Sequence, residues 1–426
     1  MSLPNQLDYS QSISELPECT NYEVTLVPST GAGSYEPGSV IKFDFQNRGF
    51  IDPTSITLRY SYTIVSTTAA LQMIGTPVYT PFIRLETLIG SQVVESINQY
   101  NQVANLYTNT QMDVSQKYGV QAGYGYTNNT TVQYLENLDG RLLAATGGES
   151  GSFSAPLMGL LSSSAKLIPA FCMPQISVQL TMDALNNMFT SGTGITGVPS
   201  SIVLKNVEIS YNMLDFGRSV ELAVLAMPKI YLKCWSFSNS SAALAAAVSG
   251  STSLVYNQKY ASVKAAYVNF SGNFVTSANK WGDSYDVTSG GGDYSLMIAG
   301  QTYPQRPLSV LNNRAYIVQE LRRASGNIND KNNSLSVNSV EFSKFGIEQT
   351  SYIVPAKFWL GIPLEKLHIP SEKAILTGVS TNNSNLTLNI NIGSTQTPGA
   401  YNVNLILNYD AIIEVDTATK DARVRQ

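Results

Sequence analysis

Leu386-Thr-Leu-Asn-Ile-Asn-Ile392 and Tyr401-Asn-Val-Asn-Leu-Ile-Leu-Asn-Tyr-Asp-Ala-Ile-Ile-Glu-Val-Asp416 stand near the end of this 426-residue chain. In the first, Leu386, Leu388, Ile390 and Ile392 share one face, and Thr387, Asn389 and Asn391 share the other. Strict alternation is what a strand requires when one face meets a core and the other meets water or a second layer. The Asn-rich run before Leu386 and Pro398-Gly399 after Ile392 supply turn residues at both ends. Asn382-Asn383 suits a left-handed turn.

The same pattern recurs upstream. Gly38 to Phe45 leads through Asp52-Pro53 to the unbroken alternation of Ile56 to Ile64, and Pro81 to Gly90 runs into Ser91 to Ile97. Tyr100, Val103, Ala104 and Tyr107 have helical spacing. Residues 110 to 150 are polar and Gly-rich and read as a long excursion. Strands return at Phe153 to Leu161, Lys166 to Pro169, Ile176 to Met182 and Ile202 to Tyr211. After Phe216-Gly-Arg-Ser219 the plan restarts: Lys229 to Trp235, Ala261 to Phe270, Tyr294 to Ile298, a helical Leu311 to Arg323, then Tyr352 to Val354 and Phe358 to Leu360. Ala242 to Val248 reads as one or two helical turns in a loop. Pro304 and Pro307 predict an extended, non-pairing path.

About eight strands in each half predict an all-β chain of two tandem eight-stranded jelly-roll β-sandwiches with short helices in the long loops. The predicted division is a tail at 1–20, a first jelly roll at 21–217, a second at 218–416 and a tail at 417–426. The length suits two domains of about 200 residues.

Charged residues make up 13% of the chain, about half the usual share of roughly 25%. Asn, Ser, Thr, Gln and 24 Tyr fill the polar positions. Neutral, Tyr-rich surfaces suit broad protein contacts, although strands favour Thr, Tyr and Val in any case. Net charge is −4, and the densest basic features are Arg322-Arg323 and Lys420, Arg423 and Arg425. Neutralising a nucleic-acid backbone takes clustered cations, so no direct nucleic-acid binding is expected. No run approaches the ~20 apolar residues of a membrane span, and Met1-Ser-Leu-Pro-Asn has no signal-peptide character, which predicts synthesis in the cell interior. Triplets such as Asn239-Ser-Ser and Asn385-Leu-Thr follow from an Asn/Ser/Thr-rich composition.

Chemistry-bearing patterns are sparse. The one histidine, His368, lies between Leu367 and Ile369-Pro370 and reads as a strand-end residue. Cys19, Cys172 and Cys234 are scattered; the apolar neighbours of the last two predict buried thiols. Gly290-Gly-Gly292 lacks the Lys-Ser/Thr of a phosphate loop. Asp283, Asp286 and Asp293 around it are enough for a calcium loop, but a solvated loop is the simpler reading. Glu341 and Glu348 carry no mark of a glycosidase pair. No catalytic, cofactor-binding or metal residue is assigned, and the chain is not expected to be an enzyme.

Four stretches carry a resemblance. Gly38 to Ile64 is similar to an opening strand pair, and Ile89-Gly-Ser-Gln-Val-Val-Glu through Tyr100 to a strand and helix entry. Ile298-Ala-Gly-Gln-Thr-Tyr-Pro-Gln-Arg-Pro-Leu308 with Arg314 to Arg323 is similar to an element of a second barrel. Leu376-Thr-Gly-Val-Ser-Thr with Leu407-Asn-Tyr-Asp-Ala-Ile-Ile413 is similar to its close. Together they resemble the double jelly-roll major capsid proteins of the tailless-phage and adenovirus lineage, in size those of Polinton-like viruses and virophages. The resemblance implies a structural role: homotrimers of pseudo-hexagonal outline that tile an icosahedral shell, with neighbouring capsomers, penton and minor capsid proteins and an inner membrane as potential contacts, and the virion as location. It also implies that the loops near 110–150 and 271–293 face outward, and that the tails reach beneath neighbours. The alternative class is a carbohydrate-binding or depolymerising β-sandwich fibre or adhesin, which 24 Tyr would suit. A penton or minor capsid protein is a third reading, but that role usually takes one barrel.

Overall fold

The computed structural model describes residues 18–31, 33–65, 71–111, 125–127, 142–143, 149–190, 201–245, 248–272, 282, 284–288, 291–326, 337, 342, 357–366, 376–393 and 400–426. The first half holds β1 (Thr20–Leu26), β2 (Ser34–Tyr35), β3 (Val40–Asp44), β4 (Phe50–Ile51), β5 (Thr57–Val65), β6 (Leu71–Met73), β7 (Phe82–Ile89) and β8 (Gln92–Asn98). It continues with β9 (Gly125–Thr127), β10 (Leu142–Leu143), β11 (Glu149–Pro156), β12 (Ile168–Pro169), β13 (Ile176–Met182), β14 (Phe189–Thr190) and β15 (Ser201–Asp215). The second half holds β16 (Lys229–Leu244), β17 (Gly250–Tyr256), β18 (Val263–Gly272), β19 (Asp293–Ile298), β20 (Gln301–Ser309), β21 (Trp359–Pro363), β22 (Leu386–Ile392), β23 (Tyr401–Asp416) and β24 (Asp421–Arg425).

The two halves repeat one topology. The first pairs β1, β15, β5 and β11 in one antiparallel sheet and β3, β13, β7 and β8 in another. The second pairs β16, β23, β18 and β21, and β17, β22, β19 and β20. Strand for strand the chain order is the same: β1 answers to β16, β3 to β17, β5 to β18, β7 to β19, β8 to β20, β11 to β21, β13 to β22 and β15 to β23. In both, a helix follows the last strand of the second sheet: Tyr100–Gln111 after β8, and Arg314–Ala324 after β20. Two four-stranded sheets with these long crossovers are the jelly roll. Among the described strands, none up to Asp215 pairs with one from Lys229 onward, and the helix Arg218–Leu225 lies between them.

Alternation builds each core. Ile56, Leu58, Tyr60, Tyr62 and Ile64 are buried in the first half, and Leu386, Leu388, Ile390 and Ile392 in the second. Each such side chain contributes about 1.5–3 kcal/mol. β23, between β16 on one side and β18 and β24 on the other, is buried at most positions on both faces. Its run Asn404-Leu-Ile-Leu-Asn therefore departs from simple alternation.

Several expectations are corrected. Ala242 to Leu244 are not helical: they extend β16, paired with Val403 to Tyr401, because sixteen residues of β23 offer a full-length template. β20 does pair with β19, at Gln301–Tyr303 and at Leu308–Ser309. The register shift between those contacts leaves Pro304 to Pro307 out of the ladder, where prolines have no N–H to lose. The helix begins at Arg314, with Asn313 Oδ1 accepting from the Tyr316 N–H at 3.1 Å. The closing residues are not wholly a tail. A turn at Asp416, whose carboxylate accepts from the N–H groups of Ala418 and Thr419, returns the chain as β24. Glu414 then holds both Lys229 (2.6 Å) and Arg425. The Asn382-Asn383 turn uses no left-handed residue; Lys420, in the β23–β24 turn, does. Residues 352–354 lie outside the described residues.

The Leu376 to Thr381 stretch has a physical role. Val379 exchanges backbone hydrogen bonds with Val263 (2.8 and 2.9 Å), and the Gly378 N–H donates to Ser262 Oγ at 2.9 Å. A Cβ on Gly378 would lie 2.3 Å from the Val263 carbonyl oxygen. Gly378→Ala is therefore expected to cost about 1–3 kcal/mol, read as a lower urea midpoint at unchanged slope; a midpoint equal to the unsubstituted protein's would contradict this packing.

Candidate functional site: the seam between the barrels and the outer faces

The two halves meet where β8 and its following helix lie against β16. Edge strands expose unpaired backbone groups, and the first half covers the edge of β16. Ser163 Oγ donates to the Trp235 carbonyl (2.6 Å) and accepts from its N–H (2.9 Å), and the Ala165 N–H donates to the Lys233 carbonyl at 3.3 Å. Above this edge Tyr107 stacks on Trp235 at 5.9 Å between centroids, and both rings meet Phe237. Asn239 Nδ2 donates to Gln99 Oε1 at 2.8 Å. Asn105 Nδ2 reaches the Gly282 carbonyl at 3.2 Å, so that part of the second half's long connection lies against the first helix.

Glu95 sits at the centre of this seam. It is 2% exposed, and its carboxylate accepts from Thr87 Oγ1 (2.6 Å), the Leu160 N–H (2.8 Å) and the Ser236 hydroxyl of β16. Burial raises its pKa above the ordinary 4.5, against the lowering effect of the three donors. A bulge places it there: Thr87 pairs with Glu95 but Leu88 pairs with Val93, so Val94 is the extra residue and the strand's facing shifts. Beside it opens a cleft of about 530 Å³, lined by Gln92, Val93, Tyr260, Tyr409, Arg423 and Gln426 among others. Tyr260 and Tyr409 stack at 4.0 Å, and Gln426 Nε2 donates to the Val94 carbonyl, tying the chain's last residue to β8.

Among the described residues, those singled out by sequence do not gather. Asp286 is 1% exposed rather than solvated, and its carboxylate accepts from the Thr288 N–H (2.9 Å), Thr288 Oγ1 (2.7 Å) and the Tyr294 hydroxyl (2.7 Å). Asp293 instead accepts from Asn391 Nδ2 at 3.3 Å. Among the described residues no group of three or more His, Cys, Asp or Glu converges. Asp283, Gly290, Glu341, Glu348 and His368 lie outside the described residues. Cys172 and Cys234 are buried free thiols, with burial pushing the first up to about 11 and the second up to about 12; Cys19 is free and half-buried. Glu95 and Ser236 escaped sequence reading because a bulge leaves no mark in the alternation and their partners are distant in sequence.

The outer face of β17, β22 and β19 is mostly neutral, whereas the first barrel's strands carry the ion pairs Lys42–Asp44, Glu23–Arg59 and Arg84–Glu86. On the β17–β22–β19 face Ser253 Oγ donates to Asn389 Oδ1 at 2.7 Å, and Ser251 to Asn391 at 3.4 Å. An apolar surface lies at the junction, where Leu222, Met227 and Tyr231 are about half exposed.

No protein-family model matches the chain, and no curated protein matches it. Solved structures do match, over nearly the full length of both partners. The VP54 protein of PBCV-1, fitted into a reconstruction of the virophage Sputnik, is 11% identical with a TM-score of 0.63, over 98% of this chain and 99% of that one. The Faustovirus major capsid protein is 9% identical with a TM-score of 0.62, over 95% and 92%. The mavirus major capsid protein is 10% identical with a TM-score of 0.55, over 100% and 95%. This is the double jelly-roll fold of viral major capsid proteins. The double jelly roll thus has the architecture that its C-terminal strands and Tyr303-Pro304 segment suggested.

Glu95 makes the seam pH-sensitive in a defined direction. A carboxyl whose folded pKa is raised contributes stability that is fully present below its unfolded value near 4.5 and is lost as pH rises through the folded value. Glu95→Gln has no such dependence. The melting temperature of the unsubstituted protein minus that of Glu95→Gln is therefore expected to fall as pH rises from 4.5; a difference that grows with pH would show that the carboxylate is favoured by folding.

Proposed function

We propose that this chain is a structural major capsid protein whose homotrimers, pseudo-hexagonal in outline, tile an icosahedral virus shell. The observation that carries the reading is the strand-for-strand repeat of one barrel within a chain that matches double jelly-roll capsid structures from end to end. Two like barrels per chain let three copies present six similar units around a threefold axis, an outline that packs on a plane without gaps. The outer face of β17 and β22 suits repeated contact: Ser251, Ser253, Asn389 and Asn391 offer hydrogen-bonding groups without charge. Interfaces of permanent assemblies usually bury more than ~2,000 Å².

The role is structural rather than enzymatic. Neighbouring capsomers, penton and minor capsid proteins and an inner membrane are its proposed contacts, and the virion its location. The proposed barrels are 21–217 and 218–416, the second with β24 added through its pairing with β23. The fibre or adhesin alternative has less behind it, since the Tyr content that suggested it is partly spent on the cores: Tyr62, Tyr100, Tyr211, Tyr256, Tyr294, Tyr401 and Tyr409 are all fully buried.

Size-exclusion chromatography with light scattering is expected to give about three times 46.1 kDa, and electron microscopy pseudo-hexagonal particles or shells. A stable monomer at micromolar concentration, or cleavage of a polysaccharide by the purified protein, would overturn the reading.

A further inference from the structure

Glu95 is a buried carboxyl group without a counter-ion. Of the roughly four lone-pair sites that a carboxylate offers, three are filled. Oε1 accepts from the Leu160 N–H at 2.8 Å and from the Ser236 hydroxyl, and Oε2 accepts from Thr87 Oγ1 at 2.6 Å. All three donors are neutral, and among the described residues no cation pairs with Glu95. Buried charges are ordinarily paired. The shortage of donors extends along the same stretch of β16. Gln258, whose Nε2 donates to Ser238 Oγ at 2.9 Å, is 7% exposed, and its Oε1 has no partner. Asn239 Oδ1, equally buried, has none either.

The cleft of about 530 Å³ includes Glu95 in its lining, and the stacked rings of Tyr260 and Tyr409 form one wall with Val93 and Val424 nearby. Arg423 is the one cation of that lining; it pairs with Asp421 at 3.2 Å and its side chain is 79% exposed, which places it at the rim. Tyr100, Cys234, Tyr260 and Tyr409 are the titratable groups that feel the Glu95 charge. Burial pushes all four up, so they stay neutral around it. A hard metal ion fits poorly, since it takes about six or more oxygens and no group of three ligands converges among the described residues. A guanidinium binds a carboxylate through two parallel bonds, and one site is left. An ammonium is a compact point charge with donors and no acceptor, and its alkyl stem suits an aromatic wall.

We propose that this cleft binds a primary alkylammonium group, with the nitrogen on the Glu95 carboxylate and the hydrocarbon stem along Tyr260 and Tyr409. The group is that of a free amine or of a lysine side chain on another polypeptide. Binding needs the charged carboxylate, so affinity rises as pH rises through a value that burial has lifted above 4.5. Every residue of the site belongs to one chain, so it holds for a monomer and for an assembly alike.

Isothermal titration of the full chain with n-butylammonium chloride tests it. Saturable binding is expected, tighter in mildly alkaline than in mildly acidic buffer, with none for n-butanol, which has a similar shape without the charge. Glu95→Gln is expected to weaken binding by about ten- to hundredfold. Arg423→Gln removes a like charge from the rim and leaves the interior untouched; it is expected to tighten binding by about two- to threefold, and it reads the site even where Glu95→Gln folds poorly. Nα-acetyl-lysine methylamide separates the two sources: binding as tight as that of n-butylammonium assigns the site to a lysine side chain, and exclusion assigns it to a free amine. No saturable n-butylammonium binding, equal binding of n-butanol, or unchanged or weaker binding to Arg423→Gln overturns the proposal.

Discussion

A strand at the edge of a sheet carries a row of backbone donors and acceptors with no partner, and covering those edges is the constraint on which this chain's organisation depends. Each half is built on two facing antiparallel sheets, of eight and four strands in the first and of five and four in the second, so each has edges that its own strands leave open. The first half satisfies the edge of β16 with Ser163 and Ala165, and its first helix lays Tyr107 on Trp235. Gln426, the last residue of the chain, reaches back to the carbonyl of Val94 on the edge strand β8. Two domains that could have been beads on a linker are thereby stapled along a strand.

The seam also explains why a carboxylate is buried in a protein otherwise sparing with charge. Removing Glu95 from water is costly, and three donors from three segments, Thr87, Leu160 and Ser236, offset part of that cost. Two of those segments belong to the first half and one to the second, so the carboxylate is satisfied only when the halves are correctly placed. An apolar residue there would pack without that requirement. Buried polar groups that are satisfied in one arrangement alone specify register in some other assemblies.

Equivalent positions in the two barrels have been given different surfaces on the same topology. β8 and β20 both close a sheet and lead to a helix, yet one is followed by neutral amides and Tyr, whereas the other contains two prolines and is followed by a helix with three arginines. The bulge that excludes Pro304 to Pro307 from pairing is tolerable because, among the described strands, β20 pairs with β19 alone. Function in this reading lies in such differences between like barrels rather than in a cleft with catalytic groups.

Alternation, turn residues and low charge were enough to specify two β-sandwiches and nearly all of their principal strands, because period-2 burial is a local property that each strand carries in its own residues. Leu386 to Ile392 and Tyr401 to Asp416 are strands with the bounds their pattern implies. The sequence did not reveal β17, whose Gly250-Ser-Thr-Ser start is almost entirely polar, nor β1, whose exposed end has no alternation to read. Nor could it place Ala242 to Leu244, a helix-favouring run held extended by β23. The seam was beyond it altogether: Glu95 meets Ser236 across 141 positions of sequence, through a bulge that shifts which side of the strand it faces. Strand identity is written locally, but which edge covers which is settled only when distant segments compete for the same unpaired backbone.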